Sequence, residues 1–505
     1  MNEPIGAGGF AEVSRERLGR AQSIEMLQYV WVPYADLDDR NVAIMVACNK
    51  AHTVMLTECG LITPQEAHKV LDALNTLDRD PASLAYDPVR GDLFFNIESN
   101  VIVAAGEEAG GKMHIGRSRI DLIAALMRLR VRENLVALLE ALSTLRAVVL
   151  ERAEESVDCI MQAYTHLQPA QITTFAHYAL AFFDATTRDW VRMMAAYSTV
   201  NASPLGGAAT SGTAWPIDRQ RLADLLGFDS VVENTKDAGH NFDWLLEAVA
   251  ASSILMNDVG RLAWDLYIWC SHEFGMVRLD GSVSASSSIM PQKQNPYSLE
   301  MIRARTGEIG ATFGAIFDVL KGDTGGTAFD IKLVGPRIAD TAVGRTADMV
   351  RLTSQVVRTL HINRDRMAQA AGAGFSTAVE LADTLVRKYG LSFRSAHLVT
   401  GHLVRLATEQ RLEYRDVGPA LVEQAAQAVV GRRLGISEDD VRSALDPVAF
   451  LNTRNSAGGP GQTEVARMLA MRKAEHEVQL GALQELKRKL DRAGRILNDA
   501  VSSLT

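Results

Sequence analysis

The sequence predicts an all-α protein built around a long central helical bundle. The longest stretch without glycine or proline runs from Arg117 to Gln168, which indicates one very long helix or two nearly collinear helices. Within it, apolar residues from Leu135 to Val149 recur at alternating spacings of three and four, as expected for a seam packed against other helices. No clear run of alternating apolar and polar residues predicts a strand.

The first 115 residues are expected to form an N-terminal helical domain. Helical patterns occur there at Asn41–Glu58 and Thr63–Leu77. The second pattern opens with Thr63, Pro64 and Glu66, a typical helix start because threonine can cap the helix and proline is tolerated in the first turn.

Residues 116–374 are expected to form the central bundle domain, and residues 375–505 a C-terminal helical domain. The central domain should contain further helices at Asn241–Val259, Tyr297–Gly307 and Arg345–Ala371. Short turns separate the helices predicted for the last domain: Thr377–Tyr389, Ser395–Gln410, Val417–Gly431 and Thr463–Leu497.

The charge and cysteine content argue against several functional classes. With 52 basic and 61 acidic side chains, the 505 residues carry a formal net charge of −9 and offer no basic stripe for a nucleic acid. The cysteines lack the Cys-x-x-Cys spacing of zinc or redox sites and are typical of buried thiols in a reducing compartment: Cys48, Cys59, Cys159 and Cys270. No apolar run is long enough for a membrane helix, and the first residues do not resemble a signal peptide. We therefore expect a soluble cytoplasmic protein that binds neither nucleic acid nor membrane.

The segment Ser286–Pro296 is the most informative for chemistry. It follows a glycine- and serine-rich approach and precedes a predicted helix, so we expect a mobile loop with free backbone N–H groups that suit an anion. Ser287 is a candidate base, since Lys293 and the backbone donors could stabilise its alkoxide. The alternative is an ordinary flexible linker with solvated serines and a surface lysine.

Two further segments contain candidate binding residues. Gly111–Asp121 precedes the long helix, where Ser118, Arg119 and the helix dipole would together favour a carboxylate. The alternative is that the arginines of this segment, at 117 and 119, are solvated charges on the first turn. Ala163–Gln171 contains His166, and an isolated histidine at a helix end is more often structural than catalytic.

Together these segments resemble the motifs of the fumarase/aspartase superfamily, and of its argininosuccinate lyase branch in particular. Ser287–Pro296 is similar to the signature loop of that branch, although Ser286 stands where the family has its first glycine. Gly111–Asp121 and Ala163–Gln171 are similar to the other two motifs, in the family's order. Weaker matches extend over most of the chain: Asn49–His52, Pro204–Gly206, Ile217–Arg219, Leu226–Phe228, Leu381–Asp383 and Phe393–His397.

The resemblance implies a three-domain fumarase/aspartase-like fold and an anti-elimination that needs no metal or organic cofactor. Ser287 would be the base, and Lys293 would stabilise the negative charge that develops on the substrate. His166, oriented by Glu300, would with Thr165 position the substrate and relay a proton. The resemblance also implies a set of substrate-binding residues: Ser118, Arg119, Asn295, Ser288, Met290 and Gln168.

The chain departs from argininosuccinate lyases at three positions that bear on the substrate. Ile120 replaces an asparagine, Thr327 a tyrosine and Lys332 a glutamine that the family uses on the substrate. We expect Lys332 to bind an acidic group, because an added cation suits a leaving amine that carries a carboxylate. The hypothesis is a carbon–nitrogen lyase that acts on an N-substituted aspartate, as the lyases that cleave ethylenediamine disuccinate do.

Two alternatives remain open from the sequence. If Lys332 points into solvent, the protein is a divergent argininosuccinate lyase that releases arginine and fumarate. A non-catalytic structural protein on the same scaffold, such as a lens protein, would tolerate loss of the candidate residues, yet Ser287, His166 and Lys293 are all present. The resemblance further implies a homotetramer with active sites shared between subunits, acting on a dicarboxylate or amino acid.

Overall fold

A computed structural model of the chain describes residues 22–35, 38–322 and 329–505, without the side chains of residues 34, 35, 329, 330 and 332–336. Short helical pieces at Ile24–Met26, Leu27–Trp31 and Val32–Ala35 are the first elements among the described residues. Four helices follow in the N-terminal part: α1 (Asp39–Glu58), α2 (Pro64–Arg79), α3 (Leu93–Ala105) and α4 (Glu107–Lys112). The predicted start of α2 is confirmed, since Thr63 and Glu66 exchange both bonds of a capping box.

The central part contains seven labelled helices: α5 (Arg119–Glu154), α6 (Phe175–Val200), α7 (Arg219–Leu225), α8 (Thr235–His240), α9 (Asp243–Trp269), α10 (Tyr297–Leu320) and α11 (Phe329–Arg358). Seven short strands of the described residues lie between these helices, and an eighth follows α11: β1 (Ile160–Thr165), β2 (Gln168–Thr174), β3 (Ala202–Ser203), β4 (Ser230–Val231), β5 (Val277–Arg278), β6 (Ala285–Ser286), β7 (Gln294–Asn295) and β8 (His361–Ile362). In the part of the chain that the structure describes, the strands form two-stranded pairs only, and the predicted all-α class is confirmed.

The prediction of helix from Arg117 to Gln168 is wrong at its C-terminal end. The helix α5 stops at Glu154, and after a turn the chain forms the antiparallel hairpin β1–β2. Two glutamates, Glu154 and Glu155, stand at this end, where negative charge opposes the helix dipole. The predicted seam is confirmed, because Leu135, Leu142 and Val149 are buried in the central core.

Helix α11 runs parallel to α5 along its whole length. Near the middle, Asp340 accepts hydrogen bonds from Arg130 (2.6 Å) and Asn134 (2.6 Å). Near the end, Arg152 donates to the Leu360 carbonyl (2.8 Å). Since the offset in residue number stays close to 208, the first turn of α11 lies level with the first turn of α5.

The C-terminal part contains seven helices: α12 (Arg364–Gly372), α13 (Ala378–Tyr389), α14 (Phe393–Glu409), α15 (Pro419–Val430), α16 (Glu438–Leu445), α17 (Pro447–Asn452) and α18 (Gln462–Ser502). Helices α13 to α16 enclose a core of their own. The last helix, α18, instead contributes Leu469 and Leu483 to the central core and Leu497 to the N-terminal core. The domain boundaries after residues 115 and 374 remain predictions, and α18 connects the parts they separate.

The four cysteines are all free, and two of them, Cys48 and Cys159, are buried. Across the ranges given above, no helix is both long enough and apolar enough to cross a membrane. Nor do three or more His, Cys, Asp or Glu side chains of the described residues come together in a way that could hold a metal ion.

Candidate active site

The serine-rich segment forms a loop closed by a two-stranded ribbon. Strands β6 and β7 pair Ser286 with Gln294, and the loop between them begins with Ser287. The Ser287 Oγ accepts hydrogen bonds from the backbone N–H groups of Ile289 (3.3 Å) and Met290 (3.1 Å). Two backbone donors therefore already point at the atom that would carry an alkoxide.

The remaining loop residues line its exposed side. Ser288, Met290 and Lys293 are exposed, and Asn295 in β7 is half-buried. The Lys293 backbone N–H bonds the Met290 carbonyl at 3.1 Å, which closes a turn around Pro291 and Gln292. The loop thus presents an ammonium group and an amide close to Ser287 in sequence, on a surface that is open to solvent in a single chain.

Glu300 lies in the first turn of α10, directly after the loop. Its carboxylate accepts a hydrogen bond from the Tyr267 hydroxyl (3.3 Å) near the end of α9. No hydrogen bond joins Glu300 to His166 within the chain. The predicted orientation of His166 by Glu300 therefore stays a prediction.

His166 and Leu167 form the two-residue turn between β1 and β2, so His166 does not lie at a helix end as expected. Both residues have positive φ, 56° and 57°. Hairpin turns of this kind usually contain Asn or Gly, and each positive φ costs other residues about 1 kcal/mol. Thr165 and Gln168 flank the turn as a strand pair, and all four side chains are exposed. Such strain in an exposed turn is typical of a functional position.

Ser118 caps the N-terminus of α5, as the sequence predicts. Its Oγ accepts the Ile120 backbone N–H (3.2 Å), so its own O–H remains available to donate. Arg119 is one-third exposed, bonds Asp92 at 3.2 Å and lies over the ring of Phe95. A hydroxyl donor and an anchored guanidinium thus lie together at the positive end of a 36-residue helix, which suits a carboxylate.

Arg117 is not the solvated charge that the alternative interpretation expected. It is buried against Phe94, and none of its three guanidinium nitrogens has a hydrogen-bond partner among the described residues. Burial lowers the pKa of Arg117 to about 10, although the charge of Asp121 acts in the opposite direction. Arg117 therefore adds positive charge beneath Ser118 without reaching the surface.

Three positions that bear on the substrate depart from the argininosuccinate lyase motifs. The two whose backbone the structure describes lie at the Ser118 end of the bundle. Ile120 packs against α8, where a Cβ on Gly239 would lie 3.0 Å from the Ile120 Cγ2. Lys332 is in the first turn of α11, level with the start of α5, but its side chain is not described. Thr327 lies outside the described residues.

The three motifs do not form one site within a single chain. Helix α5 separates Ser118 from the β1–β2 hairpin by 36 residues, a length of about 54 Å. Helix α9 begins near α8 at the Ser118 end, and Tyr267 near its far end contacts Glu300. Tyr164 of the hairpin packs edge-on against Phe274, just beyond α9. The hairpin and the Ser287 loop therefore lie at one end of the bundle, and Ser118 and Arg119 at the other.

Helix α10 has an unusual exposed face. Only five of its 24 residues are buried, at positions 298, 299, 302, 309 and 316. Its exposed side contains large apolar side chains as well as glycines whose added Cβ would meet no atom within 4 Å: Met301, Phe313, Phe317, Gly307, Gly310 and Gly314. An exposed apolar face with small residues would allow another helix to approach closely.

Sequence reasoning missed two residues that support the candidate site. Tyr267 contacts Glu300 across a distance in sequence that no local pattern reveals. Asp121 is fully buried and accepts hydrogen bonds from Ser118 and from Gly206. The signal for Asp121 was available, because an acidic residue three positions after a capping serine is a capping-box pattern.

Two family models match the chain. A model described as "Lyase" matches residues 32–310, and one described as "Argininosuccinate lyase C-terminal" matches residues 375–452. Argininosuccinate lyase 1 of Shouchella clausii (strain KSM-K16) is 35% identical over 490 residues, which cover 97% of this chain and 98% of the relative.

Solved structures of EDDS lyase are similar over nearly the whole chain. The structure in complex with formate superposes with a TM-score of 0.85 and 32% sequence identity and covers 96% of both chains. The structure of a variant with bound fumarate has the same TM-score and identity and covers 97% of both chains.

Proposed function

The chain belongs to the argininosuccinate lyase family of fumarate-releasing carbon–nitrogen lyases, and on that premise we propose that it cleaves an N-substituted aspartate into fumarate and an amine that carries a second carboxylate. The added cation Lys332, in the first turn of α11, favours an amine with a second carboxylate, and the observation that argues against arginine as the released amine is Ile120. It follows Ser118 and Arg119 directly and packs on Gly239, so an apolar group stands where the family has an amide for the substrate.

In this proposal Ser287 is the base. Its alkoxide removes the proton from the carbon beside one substrate carboxylate, and the electron pair moves into that carboxylate. The pair then forms the carbon–carbon double bond of fumarate as the bond to nitrogen breaks. The N–H groups of Ile289 and Met290, which already bond the Ser287 Oγ, support the alkoxide because they need no rearrangement during the reaction.

Negative charge on the intermediate is the main obstacle, because the proton removed is only weakly acidic. Lys293 in the loop and Asn295 in β7 are assigned to the carboxylate that receives the electron pair, with Ser288 and Met290 beside them. Ser118 and Arg119 of another copy are assigned to a substrate carboxylate at the α5 N-terminus.

The proton for the leaving nitrogen is assigned to the hairpin. His166 is exposed at a strained turn with Thr165 and Gln168 beside it. Glu300 of a second copy would accept one imidazole N–H and so leave the other ring nitrogen to face the substrate. Thr165 would position the substrate.

An assembly of several copies is part of the proposal. The opposite ends of the bundle must come from different chains for one small substrate to reach both. The exposed face of α10 supports this, since its glycines and phenylalanines suit a helix of another copy. A closed homotetramer, the arrangement expected from the resemblance, would bring these faces together.

A substrate comparison tests the proposal. The purified chain would be given ethylenediamine disuccinate, argininosuccinate and N-substituted aspartates with uncharged amines, and fumarate would be followed by its ultraviolet absorbance. We expect the largest kcat/KM for ethylenediamine disuccinate, whose leaving amine carries an acidic arm and lacks the guanidinium group that leaves from argininosuccinate. A preference for uncharged amines would overturn the assignment of the amine, and no fumarate from any substrate would overturn the reaction.

A second candidate is argininosuccinate lyase itself, favoured by the 35% identity to a relative of that name over 97% of this chain. The same comparison of substrates distinguishes the two candidate functions. If argininosuccinate gives the largest kcat/KM, Ile120 and Lys332 do not select the amine, and the chain is a divergent argininosuccinate lyase.

A further inference from the structure

Asp121 connects the first turn of α5 to the turn that follows β3. Its Oδ1 accepts the backbone N–H of Ser118 (3.0 Å), and its Oδ2 accepts those of Gly206 (3.0 Å) and Ala208 (3.1 Å). The side chain is fully buried. A single carboxylate therefore holds three backbone N–H groups from two separate segments.

The turn that Asp121 holds is not one the backbone prefers. Gly206 has a φ of 77°, and Ala208, which has a Cβ, has a φ of 52°. A non-glycine residue keeps this conformation only where surrounding contacts impose it. The bond from the Ala208 N–H to Asp121 is such a contact, and the next residue, Ala209, accepts a hydrogen bond from His240 of α8 (2.7 Å).

We propose that Asp121 is a positioning residue whose ionised carboxylate clamps the Gly206–Ala208 turn onto the first turn of α5 and thereby holds Ser118 and Arg119 in the orientation that binds a substrate carboxylate. The proposal rests on the proposed function, because that function assigns the carboxylate to Ser118 and Arg119. A protonated Asp121 would offer one acceptor fewer, so one of the three N–H groups would lose its partner.

The charged and titratable groups that face Asp121 come from its own segment and from two packed elements: Arg117, Arg219 of α7 and Cys48 of α1. Both arginines favour the ionised form. Burial nevertheless outweighs Arg117 and the three N–H bonds and raises the pKa of Asp121 to about 6. Above about pH 6 the ionised carboxylate therefore holds all three N–H groups, whereas below that value the protonated carboxyl stays buried and holds one fewer.

Two further titratable groups, Glu98 and His52, lie near Arg117. Glu98 favours its charge, whereas His52 of α1 is buried and stays neutral because burial and Arg117 hold its pKa well below the usual range. Since His52 does not gain a proton near pH 6, it does not titrate together with Asp121. A change of the clamp in this range is thus due to Asp121.

Hydrogen exchange on the full chain tests the clamp without any substrate. The protection factors of the Gly206 and Ala208 amides, corrected for the intrinsic exchange rate, would be measured between pH 5 and 7.5. Because an opened turn would expose Asp121 to water and return its pKa to the ordinary range, opening should become harder as the pH falls through the Asp121 transition, and we expect protection to rise by up to about tenfold for each pH unit. Amides of α14, in the separate C-terminal core, are the internal control. Protection at Gly206 and Ala208 that does not depend on pH would overturn the clamp.

Substitution tests the link to substrate binding. Asp121→Asn should raise KM for the best substrate at least tenfold, with a smaller effect on kcat, and remove the acidic limb of kcat/KM near pH 6. Asp189→Asn is the matched control, since Asp189 is also buried with a pKa raised to about 6 by burial. It lies beside the C-terminal half of α5, where the nearby Thr187 bonds Arg146.

The outcomes distinguish a failure of the positioning role of Asp121 from a failure of the proposed function. An unchanged KM and acidic limb in Asp121→Asn would overturn the positioning role, as would equal losses in Asp189→Asn. If the unmodified chain releases no fumarate from any substrate, the proposed function fails, and the exchange measurement alone decides whether the clamp exists.

Discussion

Ser118 and His166 lie at opposite ends of one helix, α5. Ser118 caps its first turn, and His166 is at the tip of the hairpin that follows its last turn. The 36 residues between the helix ends correspond to about 54 Å. No small substrate spans that length, so two motifs only about 50 positions apart in sequence act on one molecule only if they come from different chains.

The role of Ser287 leads to the first prediction. Ser287→Ala should lower kcat by about 10²- to 10⁴-fold, the usual contribution of a positioned acid or base. The melting temperature should change little, because the loop is mostly exposed and the hydroxyl bonds only the Ile289 and Met290 N–H groups. Ser286→Ala, one residue earlier in β6, is the control and should keep most of its activity. Substantial turnover by Ser287→Ala would show that another group is the base.

The strained hairpin turn leads to the second prediction. Leu167→Gly removes the cost of a positive φ, about 1 kcal/mol. If Leu167 were only a surface residue, the Leu167→Gly variant would be slightly more stable than the unmodified chain and would keep its kcat/KM. We expect unchanged or increased stability in urea but a kcat/KM reduced at least tenfold, since the tip must fit against another copy. Wild-type kinetics in this variant would contradict the role of the tip.

The exposed face of α10 leads to the third prediction. A Cβ on Gly310 meets no atom within 4 Å, so Gly310→Leu should not disturb the isolated chain and should favour the helix by up to about 1 kcal/mol. Between copies it would block close approach, and sedimentation should then show smaller species. Gly481→Leu on α18, also in open space, is the control. Assembly of Gly310→Leu like that of the unmodified chain would exclude this face as the contact.

The buried carboxylate of Asp121 leads to the fourth prediction, on stability. Because the pKa of Asp121 is raised to about 6 in the folded chain, the folded state binds this proton more tightly than the unfolded state does. Its contribution to stability therefore increases as the pH falls from about 6 to about 4, by roughly 3 kcal/mol at most. Urea unfolding of Asp121→Asn and the unmodified chain across this range measures the difference. A difference that grows in the opposite direction would contradict the assignment.

The sequence was sufficient for the fold class and for the local structure at several motifs. The threonine cap of α2 and the serine cap of α5 follow from side chains that act within three residues. The alternation that would have revealed β1 is missing, because Met161 and Gln162 are adjacent and both buried. Periodicity therefore gave no sign that the helix had ended before His166.

The spatial arrangement of the candidate site could not be predicted from the pattern of residue types along the sequence. It depends on where α5 ends, and no glycine or proline marks that position. The bond from Tyr267 to Glu300 joins residues 33 positions apart. Such contacts are decided by how helices pack, whereas caps and turns are decided by neighbouring residues.

Mixing two inactive variants is the most direct test of a fumarate-releasing site shared between copies. Ser287→Ala and Arg119→Ala chains would be unfolded together, refolded and assayed for fumarate release beside each variant refolded alone. If the chains assort at random, about a quarter of the sites should take Ser287 from an Arg119→Ala chain and Arg119 from a Ser287→Ala chain. These sites contain neither substitution and should be active. No activity in the mixture, although it assembles like the unmodified protein, would contradict the account.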